Sequence, residues 1–223
     1  MDKSQIRDAA TVILIRDRSD KPKVLMGQRG SKAVFMPGKF VFPGGAVDDG
    51  DRNVLSASRL PTACMERLEF RSDTDTAQGL CAAAIRELWE ETGLLLGKPG
   101  AWQAPNQDWE AFSMRNLIPD ASALSFVFRA VTPRGRPRRF DARFFLADAD
   151  AISGDPDDFS SATDELSHLQ WISLEETRQF DLPFITQVVL SEIANNRDLV
   201  APSEGVPFFN YEGETAEVLR IRP

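Results

Sequence analysis

Short apolar runs alternate along the chain with longer runs in which apolar residues recur every three or four positions, and the first short run, residues 9–16, is rich in β-branched residues. The short runs are bounded by Gly, Pro, Asp and Asn and therefore predict β-strands. They cover residues 9–16, 23–28, 40–42, 124–131, 138–146 and 168–172. Because strand-like and helix-like runs interleave, we predict an α/β fold.

The longest run with helical spacing ends at Gly93, a residue type that commonly ends helices. Asp75 or Thr76 is its predicted N-cap, because short polar side chains satisfy the first backbone N–H groups. The apolar side of this helix consists of Leu80, Ala84, Ile85 and Leu88.

Two further segments have mixed patterns. Residues 52–76 predict two short helices, at 54–60 and 63–70, and form either a packing flap or a lid or dimer element. The C-terminal extension, about 174–223, predicts helices at residues 174–180 and 184–195, followed by a docked final segment. With 223 residues, the whole chain fits one enlarged domain, residues 1–223.

Three carboxylates, Glu87, Glu90 and Glu91, lie on the predicted helix with i, i+3, i+4 spacing. At about 100° per residue they share one helix face, where they repel each other unless a cation lies between them. All-oxygen ligands favour Mg²⁺ or Mn²⁺. The alternative interpretation is a solvated acidic helix face, which is the usual meaning of a charge run.

Residues 86–94 read Arg-Glu-Leu-Trp-Glu-Glu-Thr-Gly-Leu, and a Gly44-Gly45 loop precedes them. With this loop and helix, the chain resembles the Nudix hydrolases. The resemblance implies an α/β/α sandwich with a mixed central sheet. It also implies a helical insertion between the glycine loop and the catalytic helix, and extra C-terminal helices.

The chain departs from the uninterrupted signature at two points. Arg86 follows Gly45 by 41 positions, where the signature has 14, so 27 additional residues interrupt the motif. The signature glutamate between them is absent. Asp51 occupies its place when counted forward from Gly45, and Gln78 does so when counted back from Arg86.

The interrupted motif is similar to the coenzyme A diphosphatase-like branch of the family, which includes the peroxisomal Nudix 19 type. The segments that carry this similarity are residues 35–38, 41–45, 132–133, 139–145 and 169–173. The Leu-Arg element that other coenzyme A-cleaving relatives carry before the glycine loop is absent from residues 28–34, which keeps other substrates open.

The resemblance implies roles for individual residues. The ligands that it implies for Mg²⁺ or Mn²⁺ are Glu87, Glu90, Glu91 and Gly45. Arg86 holds the acids in place, and the Gly44-Gly45 turn lets the backbone approach metal and phosphates. Glu165, or as second choice Asp164, is the candidate loop acid that serves as general base or metal ligand.

Six arginines lie between Arg129 and Arg143. Because arginine binds phosphate bidentately, Arg138 and Arg139 of this group are candidate substrate-binding residues, together with Arg29. The alternative is a solvated hairpin. His168, the only histidine, is predicted to be an ordinary strand residue because no nucleophile motif accompanies it.

The net charge of −8 and pI of about 4.8 argue against nucleic acid or an anionic membrane as the main partner. Two cysteines, Cys64 and Cys81, indicate free thiols in a reducing compartment rather than a disulfide framework. Residues 1–8 are charged and no apolar run is long enough to span a membrane, so we expect a cytoplasmic protein. The family resemblance adds a possible homodimer and a small nucleotide-type substrate.

Three functional hypotheses remain open. The first is metal-dependent hydrolysis of coenzyme A or acyl-CoA to phosphopantetheine and adenosine 3′,5′-bisphosphate. The second is hydrolysis of a related phosphoanhydride, such as ADP-ribose, NADH or a dinucleoside polyphosphate. The third is a non-catalytic binding or regulatory module, for which the replaced signature glutamate is the motivation.

Overall fold

A mixed β-sheet with helices on both faces organises the chain. The computed structural model describes residues 5–31, 33, 36–54, 56–195, 204–212 and 215–222. Phe35 of the predicted 35–38 run and part of the predicted C-terminal segment lie outside these residues. No helix in the described ranges has the length and apolar character needed to cross a membrane.

The strands of the described residues are β1 (Ile6–Arg16), β2 (Lys23–Arg29), β3 (Phe40–Val41), β4 (Gly44–Ala46), β5 (Gly97–Pro99), β6 (Leu117–Pro119), β7 (Ser125–Val131), β8 (Arg139–Asp148), β9 (Leu166–Ser173), β10 (Val206–Asn210) and β11 (Glu217–Ile221). The main sheet has the order β11-β10-β7-β8-β1-β2-β3, with β4 paired to β1 and β9 to β2. The pairs β1–β8 and β7–β10 are parallel, and the other pairs are antiparallel. The six predicted strands correspond to β1, β2, β3, β7, β8 and β9.

The helices of the described residues are α1 (Thr62–Leu68), α2 (Thr74–Thr92), α3 (Glu110–Met114) and α4 (Phe184–Asn195). Helix α2 buries its apolar side in the core on one face of the sheet, and α4 packs on the opposite face. The centre of β1 is therefore covered on both sides, which explains why Val12 to Ile15 have no exposed surface. The predicted α/β/α sandwich with a mixed sheet is confirmed.

In its described residues the insertion contains one α-helix of its own where two were predicted. Helix α1 overlaps the second predicted helix and begins one residue before it, and its Cys64 and Leu68 are buried in the core beside α2. The described part of residues 54–60 is not helical, because its polar groups bond to the end of β6 and to the segment that follows it. Ala57 N donates to Pro119 O, and Ala121 N donates to the Ser56 hydroxyl. These bonds favour the packing-flap interpretation of the insertion.

The C-terminal prediction is partly wrong. Helix α4 is present, but residues 174–180 contain only a short 3₁₀ turn, Thr177–Gln179. The predicted docked segment forms the strand pair β10–β11, which extends the sheet beyond β7. Val206 and Phe208 of β10 are buried in the core on the α2 side, and this burial stabilises the added edge.

Candidate active site

Helix α2 begins earlier than predicted because Asp73, rather than Asp75, caps it. The Asp73 side chain accepts a hydrogen bond of 2.6 Å from Thr76 N. The predicted end is confirmed: Gly93 has a φ of 76°, and its N–H donates to Trp89 O at 2.7 Å. The three acids therefore lie in the last two turns of the helix.

The glycine turn and the acids of α2 are in direct contact. Glu91, which is 1% exposed, accepts a hydrogen bond of 2.7 Å from Gly44 N through Oε2. The Glu87 carboxylate packs against Gly45, where an added Cβ would lie 2.3 Å from Glu87 Oε1. At Gly44, an added Cβ would lie 2.4 Å from Ala10 O. Any side chain at either glycine would displace an acid or a strand.

Arg86 is the centre of a buried ionic network. Its Nε and Nη2 bind Asp51 Oδ1 and Oδ2, both at 2.9 Å. Its Nη1 donates to Glu87 at 2.9 Å and to Glu90 at 3.2 Å, and Nη2 also donates to Ala46 O. Burial alone would lower the pKa of Arg86, but hydrogen bonds to Asp51 and the nearby acids outweigh burial and raise it.

Asp51 therefore occupies the place of the missing signature glutamate. It is 2% exposed, and its carboxylate also accepts from Asp48 N at 2.9 Å. Gln78, the alternative, is exposed on α2. This pairing with Arg86 favours the alignment in which the 27 additional residues follow Asp51.

The acids have the character of cation ligands. Glu91 Oε1 is buried and has no hydrogen-bond partner. Burial raises the pKa of Glu87 to about 7 and that of Glu90 in the same direction. Burial, followed by the charge of Glu87, raises the pKa of Glu91 well above its usual range. A divalent cation would satisfy the free oxygen and favour the ionised acids, so the donor set fits the predicted metal.

The three carboxylates do not converge on one point in this structure. No group of three or more His, Cys, Asp or Glu side chains among the described residues has the arrangement of a ready metal site. Glu87 and Glu90 both accept from Arg86 Nη1 instead. Binding of one cation by all three acids would therefore require side-chain rotations of Glu87 and Glu90.

We expect the metal-free protein to lose stability as the pH rises from about 5 to 8. The pKa of the Glu87 carboxyl is about 7 in the folded protein, against an ordinary value of 4.5. The contribution of Glu87 to the free energy of unfolding is therefore fully present below pH 4.5 and is lost as the pH rises through 7. The shift corresponds to about 3 kcal/mol. Melting curves in EDTA for wild type and Glu87→Gln should differ in slope against pH, with the wild type falling more steeply.

Added Mg²⁺ should restore most of the lost stability at pH 8 and little at pH 5, because cation binding requires ionised carboxylates. Equal pH slopes for wild type and Glu87→Gln in EDTA would contradict the assignment of this titration to Glu87.

The loop acid Glu165 and the strand residue Arg29 meet beside α2. Arg29 Nη2 lies 3.0 Å from Glu165 Oε1. The charge of Glu165 contributes to the raised pKa of both Glu87 and Glu91, after burial and nearer charges. The structure thus brings Glu165 and Arg29 to the face of α2 that carries Glu87, Glu90 and Glu91, which is called the acidic face below. The second candidate, Asp164, is exposed on the same loop.

The arginines between residues 129 and 143 do not cluster at the acidic face. Arg129 is bound bidentately to Asp141, and Arg143 is paired with Asp141 and Asp8. Arg139 is 6% exposed and donates to two backbone carbonyls, those of Thr132 and Tyr211. Its assignment as a phosphate-binding residue is therefore corrected, because these donors tie β8 to neighbouring segments.

Arg138 is exposed in the turn between β7 and β8, and no described contact links it to the acids of α2. His168 lies in a strand, as predicted, but at an irregular position. It has a φ of 52° and lies in β9, where the pairing with β2 is irregular.

Sequence patterns missed the loop before α3. Asn106 Oδ1 accepts from Asp108 N. Burial is the largest cause of the raised pKa of Glu90, Arg86 opposes it, and the Asp108 charge adds to it. An added Cβ on Gly50 would lie 3.3 Å from Asn106 Nδ2, so this loop lies next to the segment that precedes Asp51. Residues 102–116 have no regular periodicity, so only the fold reveals this proximity.

The chain is similar to proteins of one hydrolase family. It is 33% identical over 186 residues to nudix hydrolase 7 of Caenorhabditis elegans, a match that covers 78% of this chain and 53% of that protein. It is 27% identical over 235 residues to the acyl-coenzyme A diphosphatase of Gallus gallus, covering 76% and 61%. The chain thus spans little more than half the length of these curated relatives.

A solved structure extends the similarity to the fold. A NUDIX hydrolase from Alicyclobacillus acidocaldarius superposes with a TM-score of 0.63 at 26% identity, over 85% of this chain and 92% of that one. No protein-family model matches the chain.

Proposed function

Because this chain belongs to the Nudix hydrolase superfamily, we propose that it hydrolyses the phosphoanhydride bond of a nucleoside diphosphate linked to a second group. The observation that carries the proposal is the buried Glu91, whose Oε1 lacks a partner beside Glu87 and the Gly44-Gly45 turn. A solvated acidic helix face would not bury an acid in this way, since burial of an uncompensated charge is costly.

Each residue has a distinct part in the proposed reaction. The Gly44 N–H and Arg86 orient the acids. Glu87, Glu90 and Glu91, with the Gly45 carbonyl, would hold Mg²⁺ or Mn²⁺. Such a cation supplies neutralisation of phosphate oxygens and a more acidic bound water. Glu165, which is largely exposed beside these acids, would accept the proton of the attacking water.

Coenzyme A or an acyl-CoA is the substrate that we favour. The similarity to the acyl-coenzyme A diphosphatase covers most of this chain, and the interrupted glycine-helix motif agrees with that branch. Cleavage would release phosphopantetheine and adenosine 3′,5′-bisphosphate from the unacylated substrate. The buried arginines of β7 and β8 provide no site for the 3′-phosphate.

Mass spectrometry of the products tests this proposal. Coenzyme A, ADP-ribose and NADH are each incubated with the protein and Mg²⁺ or Mn²⁺, with Glu91→Gln as control. We expect the wild type to release phosphopantetheine from coenzyme A and Glu91→Gln to release none. Cleavage of ADP-ribose or NADH instead would keep the reaction and replace the substrate.

Two results together would identify the chain as a non-catalytic module. The first is that none of the three substrates is cleaved, and the second is that Mn²⁺ raises the melting temperature of neither the wild type nor Glu91→Gln. A rise confined to the wild type assigns cation binding to the acids of α2.

A further inference from the structure

The ion pair between Arg29 and Glu165 joins two elements beside the acidic face. Arg29 ends β2 and is paired in register with Leu166 of β9, so Glu165 directly precedes its partner strand position. The two residues are 136 positions apart in sequence, and their charged groups lie 3.0 Å apart. The pair therefore exists only through the β2–β9 pairing.

Arg29 and Glu165 differ in exposure, and Arg29 has a polar atom without a hydrogen-bond partner. The Arg29 side chain is 21% exposed, against 56% for Glu165. Arg29 Nε is buried and has no hydrogen-bond partner. Since a guanidinium carries five N–H donors, Arg29 retains donor capacity that Glu165 does not use.

The base of the loop is anchored while its acid stays accessible. Thr163 N donates to Glu90 O at 3.0 Å, which fixes the loop on the C-terminal end of α2. The backbone at Ser161 and Ala162 packs against Gly93. Glu165 can therefore change its partner by side-chain rotation alone.

Arg29 is partly exposed beside the acids of α2, whereas Arg86 is not available to an incoming ligand. Arg86 uses its donors within the network of Asp51, Glu87 and Glu90 and is 4% exposed. The loop that carries Glu165 is hydrogen-bonded to Glu90 O through Thr163 N, so the Arg29–Glu165 pair lies beside the end of α2 that carries the acids.

We propose that Arg29 restrains Glu165 in the free protein and exchanges it for an anionic phosphate oxygen when substrate binds. The exchange leaves Glu165 free beside the reacting phosphate, and Arg29 becomes a substrate-binding residue. This inference rests on the proposed function, because it assumes a diphosphate ligand at the acidic face. It couples substrate binding to the release of the proton acceptor.

Exchange predicts opposite effects of the two partners on ligand affinity. In Glu165→Gln, Arg29 no longer has a charged competitor, and affinity should rise about two- to fivefold. In Arg29→Gln, a charged hydrogen bond to the ligand is lost, and affinity should fall about tenfold or more. A static brace would weaken binding in both variants or in neither.

Calorimetric titration with α,β-methylene-ADP in the presence of Mg²⁺ measures these affinities, because its bridging carbon prevents cleavage. The matched control is the pair of Arg16 and Asp157, whose side chains are 26% and 59% exposed and whose nearest atoms are 2.8 Å apart. Arg16→Gln and Asp157→Asn should leave affinity unchanged. Glu165 is exposed, so Glu165→Gln is expected to fold even if Arg29→Gln does not.

Opposite shifts in the two variants support the exchange, and parallel shifts, unchanged affinities or an analogue that wild type does not bind overturn it. In turnover assays the two variants should change different kinetic constants. Arg29→Gln should raise KM more than it lowers kcat, whereas Glu165→Gln should lower kcat. The two proposals fail separately. Hydrolysis with parallel shifts overturns only the exchange, whereas opposite shifts without hydrolysis overturn only the proposed reaction.

Discussion

Replacement of Glu91 by glutamine is expected to abolish most of the turnover while the protein stays folded. Loss of about a thousandfold in kcat corresponds to about 4 kcal/mol of transition-state stabilisation. The reason is local: Glu91 Oε1 is a buried oxygen without a partner, and glutamine cannot supply the negative charge that a divalent cation needs there.

Stability should respond in the opposite direction. Glutamine can retain the hydrogen bond from Gly44 N, and it removes a carboxyl whose pKa burial raises. The melting temperature of Glu91→Gln in EDTA should therefore equal or exceed that of the wild type near pH 7. Glu110→Gln, at an exposed position of α3, is the control and should match the wild type in kcat and melting temperature.

The decisive measurement is kcat with each metal, beside the two melting curves. Turnover of Glu91→Gln close to that of the wild type would remove Glu91 from the proposed metal ligands. A collapse of the melting temperature in EDTA would instead mean that the charge stabilises the fold.

Replacement of Asp51 by asparagine is expected to have the largest effect on stability. The change removes the carboxylate that binds Arg86 at two points and leaves a buried guanidinium with weaker compensation. We expect a loss of about 3 kcal/mol and a fall in melting temperature of about 10 °C. Because Arg86 also orients Glu87 and Glu90, kcat should fall about 10- to 100-fold.

Gln78→Ala is the matched control, since Gln78 is the other position at which the signature glutamate was expected. It is exposed, and alanine favours the helix, so stability and kcat should stay within error of the wild type. Chemical unfolding and kcat measured on both variants decide between the positions. If Gln78→Ala destabilised the protein as much as Asp51→Asn, the ionic network described for Arg86 would be wrong.

The sequence alone determined the features that depend on neighbouring residues. The i, i+3, i+4 spacing placed Glu87, Glu90 and Glu91 on one helix face, and Gly93 marked the end of that helix. The short apolar runs marked six strands of the main sheet. These features are readable because helix and strand periodicity act over a few residues, where local geometry dominates.

Only the tertiary structure decided the contacts and the burial of residues that are far apart in the sequence. It selected Asp51 over Gln78 as the partner of Arg86, and it buried Arg139 rather than presenting it to a ligand. It also brought Arg29 to Glu165 across the β2–β9 pairing. A residue's charge is encoded locally, but its partner and its burial depend on which chain segments pack together, and periodicity carries no information about that choice.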